Sequence, residues 1–114
     1  MNEGEKLSTI LGILGDYWNK FTSDLTEDQL VNLKQELSIL QTNVKTAKNL
    51  NDINEASKNF FEMLSKMEQL KFLADVYGGK MRGGDLPELE EEIRIKIINY
   101  CIMFQDKISD QKIE

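Results

Sequence analysis

Histidine is absent from this chain. That removes every Ser–His and Cys–His nucleophile pairing and the commonest metal ligand. It also excludes the Glu-x-x-His ligation by which helical bundles hold di-iron centres. Cysteine occurs once, as Cys101, so no internal disulfide forms. It stands in an apolar run, Ile97-Ile98-Asn99-Tyr100-Cys101-Ile102, and reads as a small buried hydrophobe. Reactive thiols usually sit beside cationic groups, and the nearest in sequence is Lys96, five residues away.

No stretch approaches the roughly 18 apolar residues of a transmembrane helix. The first residues, Met1-Asn2-Glu3-Gly4-Glu5, are acidic where a secretory signal is basic. The expected location is the cytoplasm. Positive charge is also short: 14 Lys and Arg stand against 20 Asp and Glu, for a net charge of -6. Nucleic-acid binding rests on cations that neutralise phosphates, and anionic membranes attract basic segments. Neither is an expected partner. Internal repeats and low-complexity tracts are also missing.

What remains is a folding composition. With 114 residues, 40% of them hydrophobic, the chain supports one domain around one core. In the first segment Leu7, Ile10, Leu11, Leu14, Tyr17, Trp18 and Phe21 recur at spacings of three and four, which predicts an amphipathic helix over about 5–22. Gly12 and Gly15 weaken that helix by about 1 kcal/mol each relative to Ala, and they offer a place where another helix can approach closely. Trp18 reads as core packing in preference to an interface anchor.

A second helix is predicted over about 26–48. Thr26 is a good N-cap with Gln29 placed for a capping box, and Leu25 and Leu30 are placed for a hydrophobic staple. Leu30, Leu33, Leu37, Leu40, Val44 and Ala47 form its stripe. A third helix is predicted over about 52–77, where Ile53, Ala56, Phe60, Met63, Met67, Leu70, Ala74 and Tyr77 follow a heptad seam. Gly78-Gly79 ends it. A fourth is predicted over about 86–109, with Asp85 as N-cap, Pro87 in the first turn, and a stripe of Leu89, Ile93, Ile97, Tyr100, Phe104 and Ile108. Short connections join antiparallel neighbours. The expected fold is therefore all-α, a single-domain antiparallel four-helix bundle.

Two segments offer chemistry, each beside a plainer reading. Gly78-Gly79-Lys80-Met81-Arg82-Gly83-Gly84-Asp85 has the glycines and cations of an anion nest, yet lacks the P-loop spacing and serves equally as an inter-helix loop. Glu88, Glu90, Glu91 and Glu92 suit a divalent ion or a basic partner, and equally a solvated helix start favoured by the dipole. No catalytic, cofactor-binding or metal-binding residue is assigned, and the chain is expected not to be an enzyme.

A third feature is the surplus of apolar residues off the main stripes: Phe61, Leu64, Phe72 and Leu73 in the third helix, Ile95, Ile98 and Ile102 in the fourth. Such residues either widen the buried faces or leave a patch for a partner. The candidate partner-binding set is Phe61, Leu64, Phe72, Leu73 and Val76, with Lys80 and Arg82 from the loop. A homodimer through the third or fourth helix is one form such a contact can take.

The stretch from about Leu11 to Phe104 resembles the CATRA-associated small proteins of bacteria. The resemblance lies in Leu14-Gly15-Asp16-Tyr17-Trp18 and in Leu25-Thr26-Glu27-Asp28-Gln29-Leu30, continued by Leu33, Leu37 and Leu40. The helix from Asn51 to Tyr77, the Leu86-Pro87 step and the final helix from Glu88 to Ile108 follow in the same order. A proline-rich connection and an Arg-rich last helix do not. The resemblance implies a small non-enzymatic component of a bacterial conflict (anti-phage defence) system, beside a caspase-like or CHAT protease.

Residues and resemblance together lead to a helical adaptor or regulator that binds a protein. The competing class is a phage-encoded or mobile-element inhibitor acting as an acidic decoy. A decoy needs an extended acidic face, and the sequence concentrates its carboxylates in one run near residues 88–92.

Overall fold

The first leucine-rich stripe folds as two helices, where a single one over 5–22 was expected. In the computed structural model, which describes residues 3–68, 70, 71, 73 and 89–111, α1 spans Glu3–Asp16 and α2 spans Trp18–Thr22. Between them Tyr17 has φ -117° and ψ 28°, well outside the helical well. The break turns Trp18 and Phe21 into the core and leaves Tyr17 56% exposed, so Tyr17 does not belong to the buried stripe.

Helix α3 spans Glu27–Thr46 and starts where its capping box places it. Gln29 N donates to Thr26 Oγ1 at 3.1 Å, and Thr26 N donates to Gln29 Oε1 at 2.9 Å. Two orphan donors of the first turn are thereby satisfied. Helix α4 spans Leu50–Ser65. Its N-cap is Asn49, whose Oδ1 accepts from Asp52 N at 3.0 Å, and Leu50 is buried.

The third helix was expected to reach residue 77, but α4 ends at Ser65. Beyond it the helix is interrupted by turns over Lys66–Leu70, and Lys71 and Leu73 are helical again. Lys66 N donates to Met63 O, Met67 N to Leu64 O, Leu70 N to Met67 O and Leu73 N to Leu70 O, at 2.9–3.1 Å, while Lys71 N donates to Met67 O at 2.9 Å, the four-residue step of an α-helix. Met67, Leu70 and Leu73 stay buried through this change, because a repeat of three suits such turns as well as it suits one face of a helix. Ala74 and Tyr77 lie outside the described residues.

Helix α5 spans Glu91–Gln111, later than the expected start at 86. Leu89 and Glu90 precede it, and Arg94 N donates to Glu90 O at 3.0 Å. The expected cap residues Asp85, Pro87 and Glu88 lie outside the described residues.

Four helices pack as a bundle in which α3 lies against α4 and α5, and α1 lies against the same two. Among the described residues there is no strand. Helix α3 is antiparallel to both neighbours. Against α5, Lys34 Nζ donates to Ser109 Oγ at 2.6 Å and Gln105 Nε2 to Gln41 Oε1 at 2.7 Å, while Arg94 near the start of α5 reaches Val44 near the end of α3. Against α4, Asn43 and Ala47 share a cleft with Asp52 and Ala56, and Asn32 and Glu36 share another with Asn59 and Met63.

Helix α1 runs alongside α5 in the same direction. A Cβ built on Gly12 would lie 3.2 Å from Tyr100 Oη, and one on Gly15 would lie 3.4 Å from the Phe104 ring. The two glycines let these rings lie against the α1 backbone, the close approach that the sequence suggested. Trp18 stacks on Phe104 with centroids 4.8 Å apart and planes within 6°. Alternation of direction thus holds from α1 to α4 and stops at α5, because α4 and α5 both run opposite to α3.

Arg94 closes the end of α3. Its Nη1 donates to Val44 O at 2.7 Å and Lys45 O at 3.1 Å, and its Nε to Glu91 Oε1 at 2.9 Å. The side chain is only 16% exposed. Its charge meets the negative end of the α3 dipole, and its donors meet carbonyls of the last turn, of which Val44 O also accepts from Ala47 N at 3.3 Å. Arg94→Met keeps the aliphatic stem and removes the donors, so urea denaturation should register a loss of about 1.5–3 kcal/mol. Lys58→Met, which breaks only an exposed 3.9 Å pair with Glu55, should cost no more than about 1 kcal/mol. Equal effects would mean that the Arg94 contacts carry no special weight.

Candidate functional site

The surplus apolar residues separate once they are placed on the fold. Leu64 and Leu73 have no exposure and belong to the core cluster, so the expectation that they form a partner-binding face is corrected. Leu64 lies at the last turn of α4, and Met63 before it and Met67, Leu70 and Leu73 after it are buried in the same core cluster. Phe61 is partly buried and packs against the core, with its ring 6.1 Å from that of Phe60. Phe72, Val76, Lys80 and Arg82 lie outside the described residues, as does the glycine-rich segment 78–85.

Helix α5 behaves differently. Its inward side gives Ile97, Cys101, Phe104 and Ile108 to the core, all without exposure. One flank meets α3 through Arg94, Gln105 and Ser109, and the other meets α1 through Tyr100, Met103 and Phe104. The remaining side faces outward, and there Ile95 is 54% and Ile102 43% exposed. Ile98, between them, is partly buried against the core. These three are spaced three and four apart, so they form one short apolar strip.

Other exposed apolar groups do not extend the strip into a groove. Met103, 39% exposed, borders the strip on the flank that meets α1 at Gly15, while Tyr17 and Ile39 stand away from it, between α1 and α2 and on α3; isolated apolar residues on a surface are ordinary. The clefts between α3 and α4 are open and polar. Asp52, in one of them, already accepts from Lys48 N at 2.8 Å through Oδ2.

The acidic run does not gather into a metal site. Glu90, Glu91 and Glu92 are exposed, Glu91 is engaged by Arg94, and Glu88 lies outside the described residues. Among the described residues no group of three or more metal-ligating side chains occurs, and no helix is long and apolar enough to cross a membrane. Cys101 is fully buried, and desolvation pushes its thiol from 9.0 up to about 12.

The sequence pointed to the outward strip only in part, since Ile95, Ile98 and Ile102 appeared among the surplus residues while the candidate set was drawn from the third helix and its loop. The missing signal was directional. Two flanks of α5 are taken by α1 and α3, and only the packing shows which side is left over. Compared with protein-family models, with curated proteins and with solved structures, the chain matches none.

Two measurements check these assignments. Leu64→Ala should cost about 2–5 kcal/mol by emptying part of the core, whereas Ile95→Ser should change stability by no more than about 0.5 kcal/mol. Similar losses for both would place Ile95 in the core. For Cys101, the raised pKa means that folding favours the neutral thiol. Its stabilising contribution is therefore complete below the unfolded value near 9 and is lost as pH rises toward 12. A thiol reagent at pH 8 should label the native protein only at its unfolding rate. Rapid labelling of the folded chain would contradict the burial.

Proposed function

We propose that the protein is a small, non-enzymatic helical adaptor or regulator that binds another protein through the outward strip of α5. The observation that carries this reading is the exposure of Ile95 and Ile102 one heptad apart on the one side of α5 that neither α1 nor α3 covers. β-Branched residues are mediocre helix formers, and apolar ones on a wet helix face contribute nothing to solubility. A protein surface that covers them would bury both side chains. The resemblance to CATRA-associated small proteins adds a setting, a bacterial conflict system in which the partner is a caspase-like or CHAT protease or a protein attached to one.

Affinity capture from the native host, with the wild-type chain and with Ile95→Ser/Ile102→Ser as parallel baits, tests the proposal. The variant should keep its helical circular dichroism, and its melting temperature should fall by a few degrees at most. A protein retained by the wild type should be missing from the variant. Identical sets of retained proteins would remove α5 as the binding surface.

A further inference from the structure

Along the outward side of α5, Glu92, Ile95, Asn99, Ile102 and Asp106 follow one another at spacings of three, four, three and four, and all five are exposed. This is the register of a coiled-coil seam. A carboxylate stands at each end, an amide at the centre and an isoleucine on either side of it. The cations of α5 beside the stripe are Lys96 and Lys107, one residue from Ile95 and Asp106 respectively, and Lys34 of α3 is engaged by Ser109.

Charge then discriminates between occupants. A parallel second copy would set Glu92 against Glu92 and Asp106 against Asp106. An antiparallel second copy, in the register that pairs Ile95 with Ile102, would set Glu92 beside Asp106 at both ends. Like charges meet in either arrangement, between chains that each carry a net charge of -6. A helix with Lys or Arg at the two positions facing Glu92 and Asp106, and apolar residues between them, meets attraction at both ends and apolar contact in the middle. Asn99 asks for an amide opposite it, since a polar residue at such a position fixes register. We infer that the occupant of this face is an amphipathic helix of a different protein, with an apolar stripe flanked by basic residues; the inference rests on the reading of α5 as the docking surface.

Two synthetic helical peptides with the same apolar stripe and central Asn, one with Lys at both end positions and one with Glu there, supply the test. Fluorescence anisotropy measures their binding to the full chain and to Ile95→Ser/Ile102→Ser, and light scattering measures the mass of the chain alone. The Lys peptide should bind about tenfold more tightly than the Glu peptide. That advantage should shrink in about 0.5 M salt, the variant should bind neither peptide, and the chain alone should be a monomer. Equal binding of the two peptides, or no binding of either at about 100 μM, would overturn the basic partner and leave α5 open as a surface for another. A wild-type dimer that the variant loses would replace the partner helix with a second copy. Binding of the Lys peptide to the variant as strongly as to the wild type would instead defeat the docking surface itself.

Discussion

Arg94 donates to the carbonyls of Val44 and Lys45, and in doing so it joins the start of α5 to the end of α3. These are the two longest helices, of 21 and 20 residues, and their relative position sets much of the rest. Gln105 with Gln41 and Ser109 with Lys34 continue the polar contacts along the same line. Sliding α5 by one turn would withdraw Arg94 from both carbonyls and part the two glutamines. These contacts are part-buried, each worth about 0.5–1.5 kcal/mol, and together they favour one register. With that register in place, Ile97, Cys101, Phe104 and Ile108 all fall on the core side.

The opposite flank of α5 is held by shape instead of polarity. Gly12 and Gly15 remove the side chains that would keep α1 at a distance, and the rings of Tyr100 and Phe104 occupy that space. Trp18, turned inward by the break at Tyr17, completes the stack on Phe104. One helix is therefore clamped on two flanks by two different kinds of contact. Among the described residues, no third helix packs on the side that carries its outward isoleucines.

Much of the fold was legible in the residues. The stripe of α3, from Leu33 to Val44, is buried as its periodicity implied, and the Thr26–Gln29 capping box stands where the motif placed it. Both signals are local, so the sequence carries them completely. The end of α4 was not legible. Met67, Leu70 and Leu73 recur every three residues, and that spacing runs on through the turns after Ser65 into the helical Lys71 and Leu73, so it does not mark the interruption. The direction of α5 was hidden for the same reason, because a helix drawn to residue 77 left only a short connection. The break at Tyr17 carries no glycine or proline to announce it. At the candidate site, exposure depends on which helices flank α5, which is a property of the packing and not of any one segment.

The placement of α5 also shapes how the chain reaches its native state. Helices α3 and α4 are joined across only 47–49 and can meet early. The contacts that seat α5 span 50, 64 and 75 residues of chain. Bringing such distant segments together costs loop-closure entropy, and non-local contacts slow folding. During synthesis the earlier helices emerge first and wait. Until α5 leaves the ribosome, the glycine face of α1 and the last carbonyls of α3 stand open to water, and the apolar side that α5 will cover is available to whatever binds nascent chains.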